Sequence, residues 1–133
     1  MSTRETALAA DATALAGLAS GRVYRSRQAQ LPAVPAIVIE PMDESVTETV
    51  LGRSDHLLRV AVRVFSRGDV PDTAADTVLA AAWAALYAAP DLGLGTDVQL
   101  MPGYTVAWDF GDDDLVRATL GIELAYRTAV GAM

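Results

Sequence analysis

The feature that most constrains this chain is a pair of period-two apolar runs on either side of one short turn. Val98, Leu100, Tyr104, Val106, Trp108 and Phe110 share one parity, as do Val116, Ala118, Leu120, Ile122, Leu124 and Tyr126, with Gly111-Asp112-Asp113-Asp114 between them. Alternate side chains of a strand point to opposite faces, so the two runs predict a long C-terminal β-hairpin with one apolar face. Pro102-Gly103 interrupts the first arm and predicts a bend or bulge, which leaves Val98–Met101 to a separate strand or loop.

A sheet that is apolar on one face needs a cover, and the sequence offers two helices for it. Ser2-Thr3-Arg4-Glu5 has capping-box spacing, and Leu8, Ala12, Leu15 and Ala19 recur at helical intervals until Ser20-Gly21 stops the run. The other face of this helix carries Arg4, Asp11, Thr13 and Gly17, which suits a helix lying on a sheet. Gly68-Asp69-Val70-Pro71-Asp72 carries start signals for a second helix, an acidic cap beside a first-turn proline. Ala75, Val78, Leu79, Ala82, Trp83, Leu86 and Tyr87 then form an unbroken apolar stripe ended by Pro90, and Trp83 and Tyr87 read as packing residues.

Between the helices, Arg22 to Gln30 is polar and Leu31-Pro32-Ala33-Val34-Pro35 is barred from helix, so an extended lead-in is expected. Ala36-Ile37-Val38-Ile39 reads as a short buried strand ended by Glu40-Pro41. Met42 to Ser54 is polar, with Thr47, Thr49 and Val50 suited to a weak strand and Gly52 to a turn. His56, Leu58, Val60, Val62 and Val64 alternate with Leu57, Arg59, Ala61, Arg63 and Phe65, a strand with one apolar and one partly charged face. The expected fold is α+β: a mixed, mainly antiparallel sheet of about four to five strands, two helices on one face, and the C-terminal hairpin. At 133 residues the chain, 1–133, fits one domain with one core.

Composition removes several chemistries. The chain has no cysteine, so disulfides, thiolate metal sites and a cysteine nucleophile are excluded, and all ten basic residues are arginine, so there is no P-loop or Schiff-base lysine. A net charge of −7 and a pI near 4.4 oppose duplex-DNA binding. The apolar runs are too short to span a membrane, and Met1 to Ser20 lacks a signal-peptide core, which favours a cytoplasmic origin.

The remaining constellations are weak as catalysts. The single histidine, His56, stands beside Asp55 and reads as a surface or capping residue with no nucleophile elbow to serve. Asp109-Phe110-Gly111 lacks every other kinase element, and Asp109, Asp112, Asp113 and Asp114 lack EF-hand spacing, so neither a metal nor a cofactor is expected. Arg22, Arg25 and Arg27 read as a solvated basic loop. Arg59 and Arg63, two pleats apart on one strand face, and the acidic tip Asp112, Asp113 and Asp114 are the candidate assembly residues.

The order of these patterns resembles the tail terminator family, that is, the minor tail protein U of lambda-like phages and related tail-completion proteins. The matching stretches are Pro35-Ala36-Ile37-Val38 after the proline-rich lead-in, the Leu57 to Phe65 strand, Val70-Pro71-Asp72, Pro90-Asp91-Leu92, Gly103-Tyr104, the Asp112-Asp113-Asp114 turn and the closing Leu120 to Arg127 strand. The resemblance implies a non-enzymatic virion protein, assembled in the bacterial host cytoplasm, that forms a six-fold ring with itself on the last ring of the tail tube. Such a ring stops polymerisation of the tail tube protein, presents the surface that meets the head–tail connector, and lets DNA pass without binding it. Another head–tail joining protein of similar fold and, in a different class, a small-ligand-binding module are the competing readings.

Overall fold

The computed structural model describes residues 2–26, 33–49, 52–68, 70–94, 98–111 and 114–130. Its centre is the strand read from the His56–Phe65 alternation, here β3 (Arg53–Arg67), fifteen residues long and paired on both sides. In chain order the elements are α1 (Thr3–Ala14), a 3-10 turn at Ala19–Gly21, β1 (Val23–Arg25), β2 (Ala36–Glu48), β3, α2 (Pro71–Tyr87), β4 (Val98–Leu100), β5 (Thr105–Phe110) and β6 (Leu115–Ala129). The six-stranded sheet runs β1-β2-β3-β6-β4, with β5 also on β6. Among the described residues only β1 against β2 is parallel, and every other pairing is antiparallel.

The architecture is the expected α+β one, with two short strands added. The lead-in contains β1, whose three residues are too few to show a period against their polar neighbours. The strand expected to stop at Glu40-Pro41 runs on to Glu48, so the weak strand after Met42 is its second half. β1 covers only Ile37, Val38 and Ile39, so from Glu40 onward β2 is an edge where proline's missing N–H costs no ladder bond. The register slips at Met42, between the Pro41↔Val60 and Asp43↔Arg59 pairs, which is a β-bulge. In the C-terminal hairpin the break at Pro102-Gly103 falls as expected: β4 and β5 both pair with β6 but are separate strands.

Both helices lie on one face. Leu8 and Leu15 of the first helical segment and Leu79 and Leu86 of α2 join Ile37, Ile39, Leu58, Val60, Val62, Val64, Leu120, Ile122 and Leu124 in one buried cluster. Fully burying an aliphatic side chain of this size is worth about 1.5–3 kcal/mol, which makes this face the main source of stability. The Ser2 hydroxyl accepts from the Glu5 amide as the capping box requires, but α1 ends at Ala14, and Leu15 and Ala19 reach the core beyond it. Among the described residues no helix is long and apolar enough to cross a membrane.

Three side-chain expectations are corrected. Asp11, assigned to the polar face of α1, is fully buried, because it lies one turn from Ala7, Leu8 and Leu15 on the packed face. Tyr87, read as packing, is 60% exposed at the last position of α2. His56, read as a surface or capping residue, is buried on the helix-covered face of β3. The N-cap of α2 is Val70 without a side-chain hydrogen bond, and Asp69 lies outside the described residues.

Candidate assembly surface

Among the described residues, β5 is the one strand in which every residue is exposed. Val106, Trp108 and Phe110 stand opposite Leu120, Ala118 and Val116 of β6, so they project from the same face as the core. The helices leave them largely uncovered: Val106 is 38%, Trp108 41% and Phe110 64% exposed, and Tyr104 before them is 54% exposed. α2, about 26 Å long at 1.5 Å per residue, packs over β3 and β6 and stops short of this edge. Trp83 on the flank of α2 touches both Tyr104 (ring centroids 4.8 Å) and Tyr87 (5.7 Å), so the exposed aromatics extend from the helix onto the edge strand.

The edge is also open in its backbone. β5 pairs with β6 on one side and, among the described residues, with no strand on the other. Natural sheets usually blunt such an edge, and the opposite side of this sheet does: beyond β1, β2 presents the bulge, Pro41 and the acidic residues Asp43, Glu44 and Glu48. β5 has one charge, Asp109, bridged to Arg117 on the other face at 2.7 Å. A contiguous apolar stripe on an unpaired edge is the signature of a surface that another chain covers.

The residues singled out from sequence lie elsewhere. Arg59 and Arg63 stand on the sheet face away from the helices, each with a carboxylate across the β2–β3 ladder: Arg59–Asp43 at 3.2 Å and Arg63–Glu40 at 3.1 Å, with Arg63 also donating to the Thr119 hydroxyl. Arg117–Asp109 and Arg127–Asp55 continue these ion pairs across the same face, and the Arg127 hydrogen bond holds the Asp55 carboxyl below its usual range. Asp114 is exposed at the hairpin turn, at the Arg67 end of β3 and five residues of register from Arg63; Asp112 and Asp113 lie outside the described residues. Of the basic loop, Arg22 donates to the Pro35 carbonyl at 2.8 Å and Arg25 bridges to Glu5 at 3.1 Å, while Arg27 lies outside the described residues.

His56 belongs to a polar cluster that fastens α1 to the sheet. Its ring stacks on Tyr126 (centroids 4.4 Å, interplanar angle 9°), its Nε2 meets the Thr128 hydroxyl at 2.8 Å, and its Nδ1 lies 3.5 Å from Glu44. The Glu44 carboxylate accepts from Arg4 at 2.7 Å and from the Tyr126 hydroxyl. Burial works against its charge, but these hydrogen bonds outweigh the burial and hold its carboxyl below the usual range; burial and the same bond to Glu44 push the Tyr126 hydroxyl up. Among the described residues no three His, Asp or Glu side chains converge as a metal site would require.

No protein-family profile and no curated protein sequence matches the chain. Among solved structures, its fold matches a protein chain of the virion of a native gene transfer agent particle. The TM-score is 0.53 over 86% of this chain and 84% of that one, at 17% sequence identity. At that identity the likeness is one of fold.

Proposed function

We propose that this chain is a virion structural protein of the tail-terminator kind, without enzymatic activity: a subunit that forms a ring with itself on the end of a tail tube, stops tube growth and receives the head. The observation that carries the proposal is the Tyr104–Phe110 stripe on an open edge strand. A lone monomer gains little from four exposed large apolar side chains in a row, whereas an assembly buries them. The fold shared with a chain of a phage-like particle supports the same reading, as does the negative charge, which repels DNA in transit through a ring.

The test is electron microscopy of particles assembled with wild-type chain, without it, and with the Trp108→Asp, Phe110→Asp double variant. Both positions are exposed, so unfolding free energy should change by less than about 1 kcal/mol. Overlong tubes lacking heads are expected from the folded variant and from the deletion. Tubes of normal length that fail only to join heads would identify a different head–tail joining protein. Normal, infectious particles made without the chain would refute the structural role.

A further inference from the structure

The sheet register places two of the strands that are unpaired on one side among the described residues, β1 and β5, at one level. Val23 of β1 lies opposite Ile37, which lies opposite Val64, then Ala118, then Trp108 of β5. Likewise Tyr24 reaches Ala107 through Val38, Arg63 and Thr119, and Arg25 reaches Val106 through Ile39, Val62 and Leu120. β1 is parallel to β2 and β5 is antiparallel to β6, so across the sheet β1 and β5 run in opposite directions. An edge of each kind on every copy is what head-to-tail association requires, and such association gives a ring when the rotation between neighbours closes.

The two edges also complement one another chemically. Arg22, which among the described residues has no carboxylate partner, precedes β1 at the level of Asp109, whose side chain is 64% exposed. Above β1 lies α1, tied to it by the Arg25–Glu5 bridge. Ala12 follows Glu5 by seven residues on that flank of α1, where a small side chain leaves room for aromatic rings.

On this basis, and resting on the assembly role proposed above, we propose that copies of the chain join head to tail by sheet extension. The open edge of β5 on one copy runs antiparallel beside β1 of the next, and its Val106–Phe110 stripe lies against the neighbour's α1 flank. The partner is a second copy, because both halves of the match are present on every chain.

The absence of cysteine makes the test direct. In the Tyr24→Cys, Ala107→Cys double variant, mild oxidation of concentrated protein should trap a ladder of dimers, trimers and larger species. Trapping should run more than about tenfold faster than in a control pairing Tyr24→Cys with Thr73→Cys on the exposed side of α2, since only juxtaposed thiols meet disulfide geometry at high effective concentration. Each single variant should give dimers no faster than the control. Rapid dimers from Ala107→Cys alone would mean that β5 pairs with itself across a two-fold axis, and a double variant no faster than the control would mean that β1 is not its partner; either overturns the inference. Because oxidation accumulates even a transient contact, weak association of the free chain does not mask the result. Either outcome could coexist with failed tube termination by the Trp108, Phe110 variant, which would leave the structural role standing while refuting this contact.

Discussion

At the scale of single residues, the largest departure from ordinary chemistry is Asp11. Its carboxylate is fully buried, neither oxygen has a hydrogen-bond partner among the described residues, and burial, only partly opposed by the Arg25 charge, raises its pKa to about 7. A carboxyl with a raised folded-state pKa favours the native state while protonated, so this contribution is whole below the ordinary value of 3.8 and lost as pH rises through about 7. At about 1.36 kcal/mol per unit the loss has an upper bound near 4 kcal/mol. Asp11→Asn should therefore stabilise the protein at pH 8 by about 1–3 kcal/mol, less than the bound because the amide is also unpartnered. Urea unfolding at pH 8 and pH 4 checks this: the gain should vanish at the lower pH, and an equal gain at both would show that charge is not the cause. Neither Asp11 nor His56 could be read correctly from its own neighbourhood. The polarity of Asp11 outweighed its position on the wheel, and the partners of His56 stand twelve residues away at Glu44 and 70 or more away at Tyr126 and Thr128.

At the scale of elements, period-two patterning gave the strands but could not say which apolar face would be covered. The Val106–Phe110 alternation is indistinguishable from that of Val60–Val64, yet β3 lies under α2 and β5 lies outside it. Periodicity assigns side chains to a face, and the reach of the covering helix decides their burial. The surface most suited to assembly was thus legible as a strand and hidden as a site. The Arg59 and Arg63 face carries a different lesson, since its arginines already have cross-strand carboxylates. Reversing their charge would set like charges beside Asp43 and Glu40, so the neutral pair Arg59→Gln, Arg63→Gln is the cleaner probe. For partly exposed ion pairs it should cost less than about 1 kcal/mol each. If this face contacts a neighbour, the folded double variant should yield fewer terminated tails by electron microscopy, and normal tails would assign these pairs to the sheet alone.

At the scale of the whole molecule, apolar attraction along β5 opposes the repulsion expected between copies that each carry a net charge of −7. The hairpin tip concentrates that charge, with Asp112, Asp113 and Asp114 adjacent in sequence and Asp114 exposed at a left-handed turn position of φ 59°. Replacing all three with Asn should raise stability by a few tenths of a kcal/mol by relieving repulsion, yet lengthen tubes if the tip faces a basic patch of the tube or lines a DNA passage. Wild-type tube lengths from the folded triple variant would reduce the tip to a solvated turn. The long β3–β6 ladder bears on what joining another copy would demand. Every residue of β6 is matched to one on β3, so β5 rests on a strand already fixed along its other side. No segment of that edge has to fold as a partner arrives; the ordering has been completed within the subunit, and the entropy given up on contact is that of rigid-body motion and a few aromatic rotamers. Even a modest apolar area can then hold a ring together, because little of its attraction is spent on arranging the surface that provides it.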